Sequence, residues 1–180
     1  MTKAAIQQAR IDALALYAKA GIALTAQEQG NVEIADFGLG DFSRTGLSIV
    51  TYINTEFYCA KEMVLTPGQT CPEHAHRPLE GGYRGKQETF RCRYGVVYLY
   101  VEGERTSNPL AAPSAGNEAW YTVGHEIVLH PGEQYTIQPN TLHWFQGGAE
   151  GAVVSEFSTT SYDEYDAFTD TRIVRVPTES

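Results

Sequence analysis

Cysteine is scarce in this 180-residue chain: Cys59, Cys71 and Cys92 are the whole supply, an odd number with no Cys-x-x-Cys among them. That excludes a fully paired disulfide framework and suits a reducing cytoplasm, where localisation is expected. Basic residues are few as well, 13 Lys and Arg against 22 Asp and Glu, for a net charge of −9. They are scattered, whereas a nucleic-acid footprint or an attraction to anionic lipid needs them clustered. Neither partner is expected, and a neutral small molecule fits better. Long apolar runs are missing too, with nothing near the roughly 20 apolar residues of a membrane span. The opening Met1-Thr2-Lys3-Ala4-Ala5-Ile6 lacks the basic start and apolar core of an export signal. A soluble protein that stays in the cell is the expectation.

The chain is long enough to bury a substantial core without disulfides or a structural metal, and residues 1–180 read as one domain. Ile6, Ala9, Ala13, Leu16 and Ala20 recur at threes and fours with polar residues between them, which predicts an amphipathic helix over about 3–20, ending near Gly21. Its ordinary role is to pack on the outside of the main fold. Thr25 and Glu28 have the spacing of a capping box for a short second helix that Gly30 stops. From about Val32 the texture changes to short β-rich runs between glycine, proline and polar turns. Ile49–Ile53, Phe57–Leu65, Val96–Val101, Glu126–Leu129, Gln134–Ile137 and Val153–Phe157 carry the β-branched and aromatic residues of strands. An all-β sandwich or barrel over about 32–176 is predicted. Residues 77–87, with three glycines and a proline, form a loop, and Leu110–Ala119 is a second.

The chemistry concentrates between Gly68 and Gly95. In a strand, side chains two apart share a face, so His74 and His76 aim two imidazoles at one point. Glu88 offers a carboxylate, and His143, in Pro139-Asn140-Thr141-Leu142-His143-Trp144-Phe145, a third imidazole. A lone His-x-His is more often a surface feature than a site. What raises this one is the continuation in register: Glu88 with Gly95, then a proline-rich turn ending in His143. His125 and His130 stand outside the pattern. Cys71, three residues before His74, is expected on the opposite face of its strand. Three imidazoles and one carboxylate admit Mn, Fe, Co, Ni or Zn and leave coordination positions open for substrate oxygens.

Gly-x5-His-x-His, Glu-x6-Gly and Pro-x3-His-x-Phe together resemble the two metal-binding motifs of the cupin superfamily, small double-stranded β-barrels of jelly-roll type. The gap from His76 to Glu88 is longer than the superfamily's usual spacing. That insertion, with Pro67 to His74, Glu88 to Gly95, Val97 to Gly103, Ser155 to Ser158, Ala35 to Gly40 and Arg172 to Pro177, resembles the short bacterial D-lyxose isomerases. The resemblance covers nearly the whole chain. It implies an all-β cupin barrel with an N-terminal helical segment and an aldose–ketose isomerase interconverting D-lyxose and D-xylulose, with D-mannose and D-fructose as further substrates. It implies a divalent metal, Mn²⁺ first and Co²⁺, Ni²⁺, Fe²⁺ or Zn²⁺ as alternatives, held by His74, His76, Glu88 and His143. Proton transfer would run through a cis-enediol held at that ion. Lys61, thirteen residues before His74, and Glu156 match the family's acid–base positions.

Each of those two has an ordinary reading as well, Lys61 as an edge residue facing solvent and Glu156 as an outward carboxylate. Arg91, Arg93, Tyr98, Tyr100 and Trp144 are expected around the pocket, and the loop over 77–87 as a flap above it. Three other functions fit the same ligands. A phosphosugar isomerase would use Arg84 and Lys86 as phosphate contacts; a non-haem iron dioxygenase would take up oxygen; a non-enzymatic sugar-binding module would have no need of Lys61 and Glu156. A homodimer is expected by analogy, through edge strands or the apolar stripe of the first helix.

Overall fold

The computed structural model describes residues 1–175; the predicted barrel end at about 176 and the tail of the Arg172 to Pro177 string lie outside them. Helix α1 spans Lys3–Lys19, capped at its start by the Thr2 side chain on the Ala5 amide. It ends in a Schellman turn: Gly21 sits at φ +70°, and the Ile22 and Gly21 amides donate to Tyr17 and Ala18. Helix α2, Ala26–Gly30, has the capping box that Thr25 and Glu28 predict.

Nine strands follow among the described residues: β1 Glu33–Ala35, β2 Leu47–Asn54, β3 Cys59–Leu65, β4 Thr70–Ala75, β5 Glu88–Val101, β6 His125–Leu129, β7 Gln134–Ile137, β8 His143–Ser158 and β9 Ala167–Phe168. All strand pairings are antiparallel. The path runs β1-β2-β3-β8-β4-β9, and β5 joins β8, β6 and β7. Two long, bulged strands make the barrel. The first half of β8 lies between β4 and the end of β5, and its second half lies between β3 and the start of β5. This is the cupin architecture that the motifs predict, and the sheet curls around its own inner face.

Alternation along each strand divides the core in two. Met63, Leu65, Phe90, Cys92, Leu99, Phe145 and Val154 point inward and form the main cluster. Val50, Val64 and Val153 point outward and are covered by Ala13, Leu16 and Tyr17 of α1. Burying each such aliphatic side chain contributes about 1.5–3 kcal/mol. Tyr17 adds a hydroxyl that donates to the Glu62 carbonyl at 2.7 Å. The two long strands can cross closely because both are glycine at one point: a Cβ on Gly95, itself at φ +69°, would stand 2.0 Å from the Gly151 carbonyl oxygen. No described helix is long and apolar enough to cross a membrane.

A candidate metal centre beside a buried lysine–glutamate pair

The inner face of the barrel encloses a cavity whose polar lining includes Lys61, His74, His76, Lys86, Glu88, Glu156, Asp163, Asp166 and Arg175. Strand register assembles its first part. His74 on β4 pairs directly with His143 on β8, and His76 follows just past the end of β4. One ring nitrogen from each of the three lies within 4.8 Å of the other two. Glu88 opens β5, with its Oε1 at 3.2 Å from His76 Nε2 and 3.0 Å from His143 Nε2. All four predicted ligands therefore meet at one place, and all are buried.

The outer nitrogens explain the orientation. His74 Nδ1 lies 2.8 Å from the Pro72 carbonyl oxygen, and His143 Nδ1 lies 3.0 Å from that of Thr141. A carbonyl only accepts, so each Nδ1 is the protonated one and each Nε2 turns its lone pair inward. His76 Nδ1 is held by the Asp166 carboxylate. Such partners behind ring nitrogens are what fixes metal-binding histidines. The buried Nε2 of His143 lies 3.0 Å from Glu88 Oε1, yet no hydrogen bond closes on it. An inward lone pair left unmatched, beside two more imidazoles and a carboxylate, is a donor set that fits a divalent transition metal.

The second part of the cavity is ionic. Lys61 on β3 pairs directly with Glu156 on β8, and both are buried. The Lys61 ammonium donates to Asp163 at 2.7 and 2.9 Å and to Ser161 Oγ at 3.0 Å. Lys86 reaches in from the 77–87 loop, to 2.7 Å from Glu88 Oε2 and 3.1 Å from Glu156 Oε1. Ser158 Oγ also donates to Glu156 Oε1.

Burial disfavours every charge here, yet the charges hold one another. For Lys86, Glu156 and Glu88 outweigh burial and keep the ammonium well above its ordinary value. For Glu88, Lys86 and His76 outweigh burial and hold the carboxyl well below its own. Burial also opposes the charge on Lys61, as Lys86 does, but Glu156 and Asp163 prevail and raise it. Burial, then the His143 and His76 rings, keeps His74 well below the usual imidazole range. His76 goes the other way, to about 9: burial and Lys86 oppose its charge, and Glu88 and Asp166 overcome them.

Several expectations change. Cys71 faces the cavity with His74, because a register shift between them on β4 reverses the simple alternation. Tyr100 and Trp144 do not line the pocket. They stack at 3.9 Å on the outer face of the sheet with Tyr121 and Val123, since they alternate with the inward Leu99, Val101, His143 and Phe145. Arg91 is outward as well, bonded to Gln134. Of the two loop cations, Arg84 is exposed and Lys86 is already engaged by two carboxylates. His125 and His130, which stand outside the pattern, are exposed. Sequence reasoning missed Asp163, Asp166 and Arg175, which arrive from the irregular segment after β8. The acidic Asp163-Glu164-Tyr165-Asp166 run carries no recognisable ligand spacing.

A cupin barrel with a three-histidine, one-carboxylate cluster facing a buried lysine–glutamate pair is thus defined by geometry. Comparison with known proteins narrows the class. The sequence profile of the family described as D-lyxose isomerase matches residues 18–179, and the chain belongs to that family. It is 67% identical over 159 residues to a D-lyxose/D-mannose isomerase of Thermosediminibacter oceani, covering 88% of this chain and 87% of that one. It is 61% identical over 171 residues to a D-lyxose ketol-isomerase of Cohnella laeviribosi, covering 95% and 93%. Among solved structures, L-ribose isomerase of Acinetobacter sp. DL28 in complex with L-ribose superposes with a TM-score of 0.80 over 96% of this chain and 94% of that one. At 16% identity, that likeness speaks for the fold alone.

Proposed function

We propose that this protein is a D-lyxose ketol-isomerase that interconverts D-lyxose and D-xylulose, and D-mannose and D-fructose more broadly, with residues 1–180 acting as one domain. The observation that carries the reading is the meeting of the His74, His76, His143 and Glu88 cluster with Lys61 and Glu156 in one cavity. A divalent ion, Mn²⁺ in our reading, would be held by those four side chains and, when bound, would polarise the vicinal oxygens of the sugar. Everything else falls to the protein.

Isomerisation moves a proton from C2 to C1 and rearranges the hydroxyl protons through an enediol. Glu156 is the base. Its Oε1 is held by Lys86 and Ser158, which leaves Oε2 free to take the carbon-bound proton and return it to the neighbouring carbon. Lys61, kept as an ammonium, donates to a substrate oxygen as charge develops there. Lys86 holds Glu156 and Glu88 at a fixed separation, and the 77–87 loop that carries it closes one side of the cavity. The phosphosugar reading loses ground, because Lys86 is committed to carboxylates and Arg84 lies outside.

The deciding experiment is turnover by Mn-reconstituted protein of free and phosphorylated aldoses, run in H₂O and in D₂O. Conversion of D-lyxose, with some deuterium at product C1, is expected. Conversion of phosphorylated sugars alone, or oxygen uptake by the Fe(II) form without isomerisation, would overturn the reading. The homodimer belongs to the same proposal, but not through the first helix: its Ala9, Ala13, Leu16 and Tyr17 stripe is buried against the chain's own sheet.

A further inference from the structure

The sheet path ends at β1 on one side and β9 on the other, and among the described residues a single bridge, Thr45 to Thr70, links the chain just before β2 to the start of β4. The barrel therefore has a seam that strand pairing does not close. Phe37, two residues past β1, fills it. Its ring is 3% exposed, belongs to the inner cluster with Leu47 and Ile49, and lies 5.6 Å from the ring of Phe168 on β9. The Phe37 carbonyl accepts from the Val174 amide at 3.0 Å, which ties the seam to the segment after β9.

The backbone is bent to put that ring there. Phe37 and Gly38 sit at φ +54° and +70°, the Leu39 amide donates to the Asp36 carbonyl, and the Gly38 amide donates to Asp36 Oδ1. A turn with two left-handed central residues ordinarily takes asparagine or glycine at the first of them, and a bulky side chain there is a conformational outlier. Strain of this kind concentrates at functional positions. The cavity shows what the ring does. Beside its polar groups, the lining of Phe37, Leu47, Ile49, Met63 and Phe168 is apolar. A sugar hydroxyl pressed against that wall would lose water and gain no partner, so a carbon chain can extend only as far as the wall. Outside the seam, a cleft lined by Glu33, Asp36 and Glu164 shares Asp163 and Arg175 with the cavity. Asp36 lines that cleft and its neighbour Phe37 lines the cavity, so the ring is a partition between the two.

We propose that Phe37 sets the length of aldose that the cavity accepts: with the C1 and C2 oxygens at the histidine cluster, its ring stops the sugar chain and favours a five-carbon over a six-carbon substrate. This inference rests on the isomerase reading for the placement of the sugar.

The test compares D-mannose with D-lyxose on the Mn-loaded full chain. Phe37→Ala should raise the ratio of kcat/KM for the six-carbon sugar to that for the five-carbon sugar by about 10-fold or more, the scale of one methylene-sized unit in a pocket. Phe37→Leu should shift the ratio less and in the same direction, and it carries the test should the alanine variant lose its near-ultraviolet dichroism. A purely structural role would depress both sugars together and leave the ratio unmoved. Calorimetric titration with D-arabinitol and D-mannitol, the reduced forms of the two aldoses, reads the same preference without turnover, and the ratio of their affinities should move in the same sense. Wild-type protein that turns over neither aldose would remove the isomerase reading, and the polyol titrations would still decide this one. A folded variant whose six-to-five-carbon preference equals that of wild type in those titrations overturns the proposal.

Discussion

His74 and His143 are held by their own strands, each through a bond from Nδ1 to the carbonyl two residues back. Lys61, Lys86 and Glu156 are held by charges that come from elsewhere in the chain: Asp163 and Ser161 lie more than 90 residues from Lys61, and Lys86 enters from a loop. His74 and His143 are in place once β4 and β8 pair. The ionic part is complete only when the 77–87 loop and the 159–175 segment have closed over it. His74 and His143 thus rest on backbone geometry, and the lysine–glutamate group on electrostatic agreement among distant segments.

Breaking the first half should cost most. His143→Ala removes the unpartnered Nε2 from the cluster, and bound divalent metal and isomerisation should fall together, activity by more than about 10³-fold. Elemental analysis and far-ultraviolet dichroism check this; loss of the β-fold would instead make the ion structural. On the ionic side, Glu156→Gln and Lys61→Met should each keep the metal and lose about 10²-fold or more in kcat. Full activity in both variants would remove these residues from the mechanism.

A smaller effect tests the one histidine that belongs to both halves. His76 is tethered by Asp166 rather than by a carbonyl. Asp166→Asn should weaken metal affinity by about 10- to 100-fold in a chelator competition, with kcat at saturating metal much less changed. An unaltered affinity would show that the strand alone orients His76.

The smallest expected effect is on stability. Burial favours the neutral form of Asp163, but Lys61 and Lys86 overrule it and hold its carboxyl below the usual range. A carboxyl lowered in the folded state stabilises fully above its unfolded value, near 4, and that contribution drains away as pH falls toward the folded value. Tm should therefore drop below about pH 4. Asp163→Asn should lower Tm at pH 7 by about 5 °C, the effect of about 2 kcal/mol from charged hydrogen bonds. Its Tm should also vary less with acidity, and an acid limb identical to that of wild type would locate the sensitivity elsewhere.

The same division explains what could be read from the residues alone. His74, His76, Glu88 and His143 were legible because strand periodicity and fixed spacing encode convergence locally. So were α1, the Thr25 and Glu28 capping box, and most strands. Glu88–Tyr94 was not legible as the start of β5, because Arg91 and Arg93 interrupt its apolar pattern. Only Val153–Phe157 of β8 was legible as a strand, because Gly147, Gly148 and Gly151 lack the β-branched and aromatic pattern yet continue it. Asp163, Asp166 and Arg175 were invisible for a different reason: nothing in their spacing states which cations or rings they will meet. Cys71 was misplaced by a bulge, which alternation cannot anticipate.

Strand β8 supplies both His143 and Glu156, and it hydrogen-bonds to β3, β4 and β5 along its length. Local fluctuations that release one end of it would have to break pairing with two neighbours at once. Its amides should therefore be among the slowest to exchange with solvent, opening only when the whole sheet opens. On heating, separation of His143 from Glu156 and global unfolding should share one midpoint, because β8 gives these two side chains no softer route by which to drift apart.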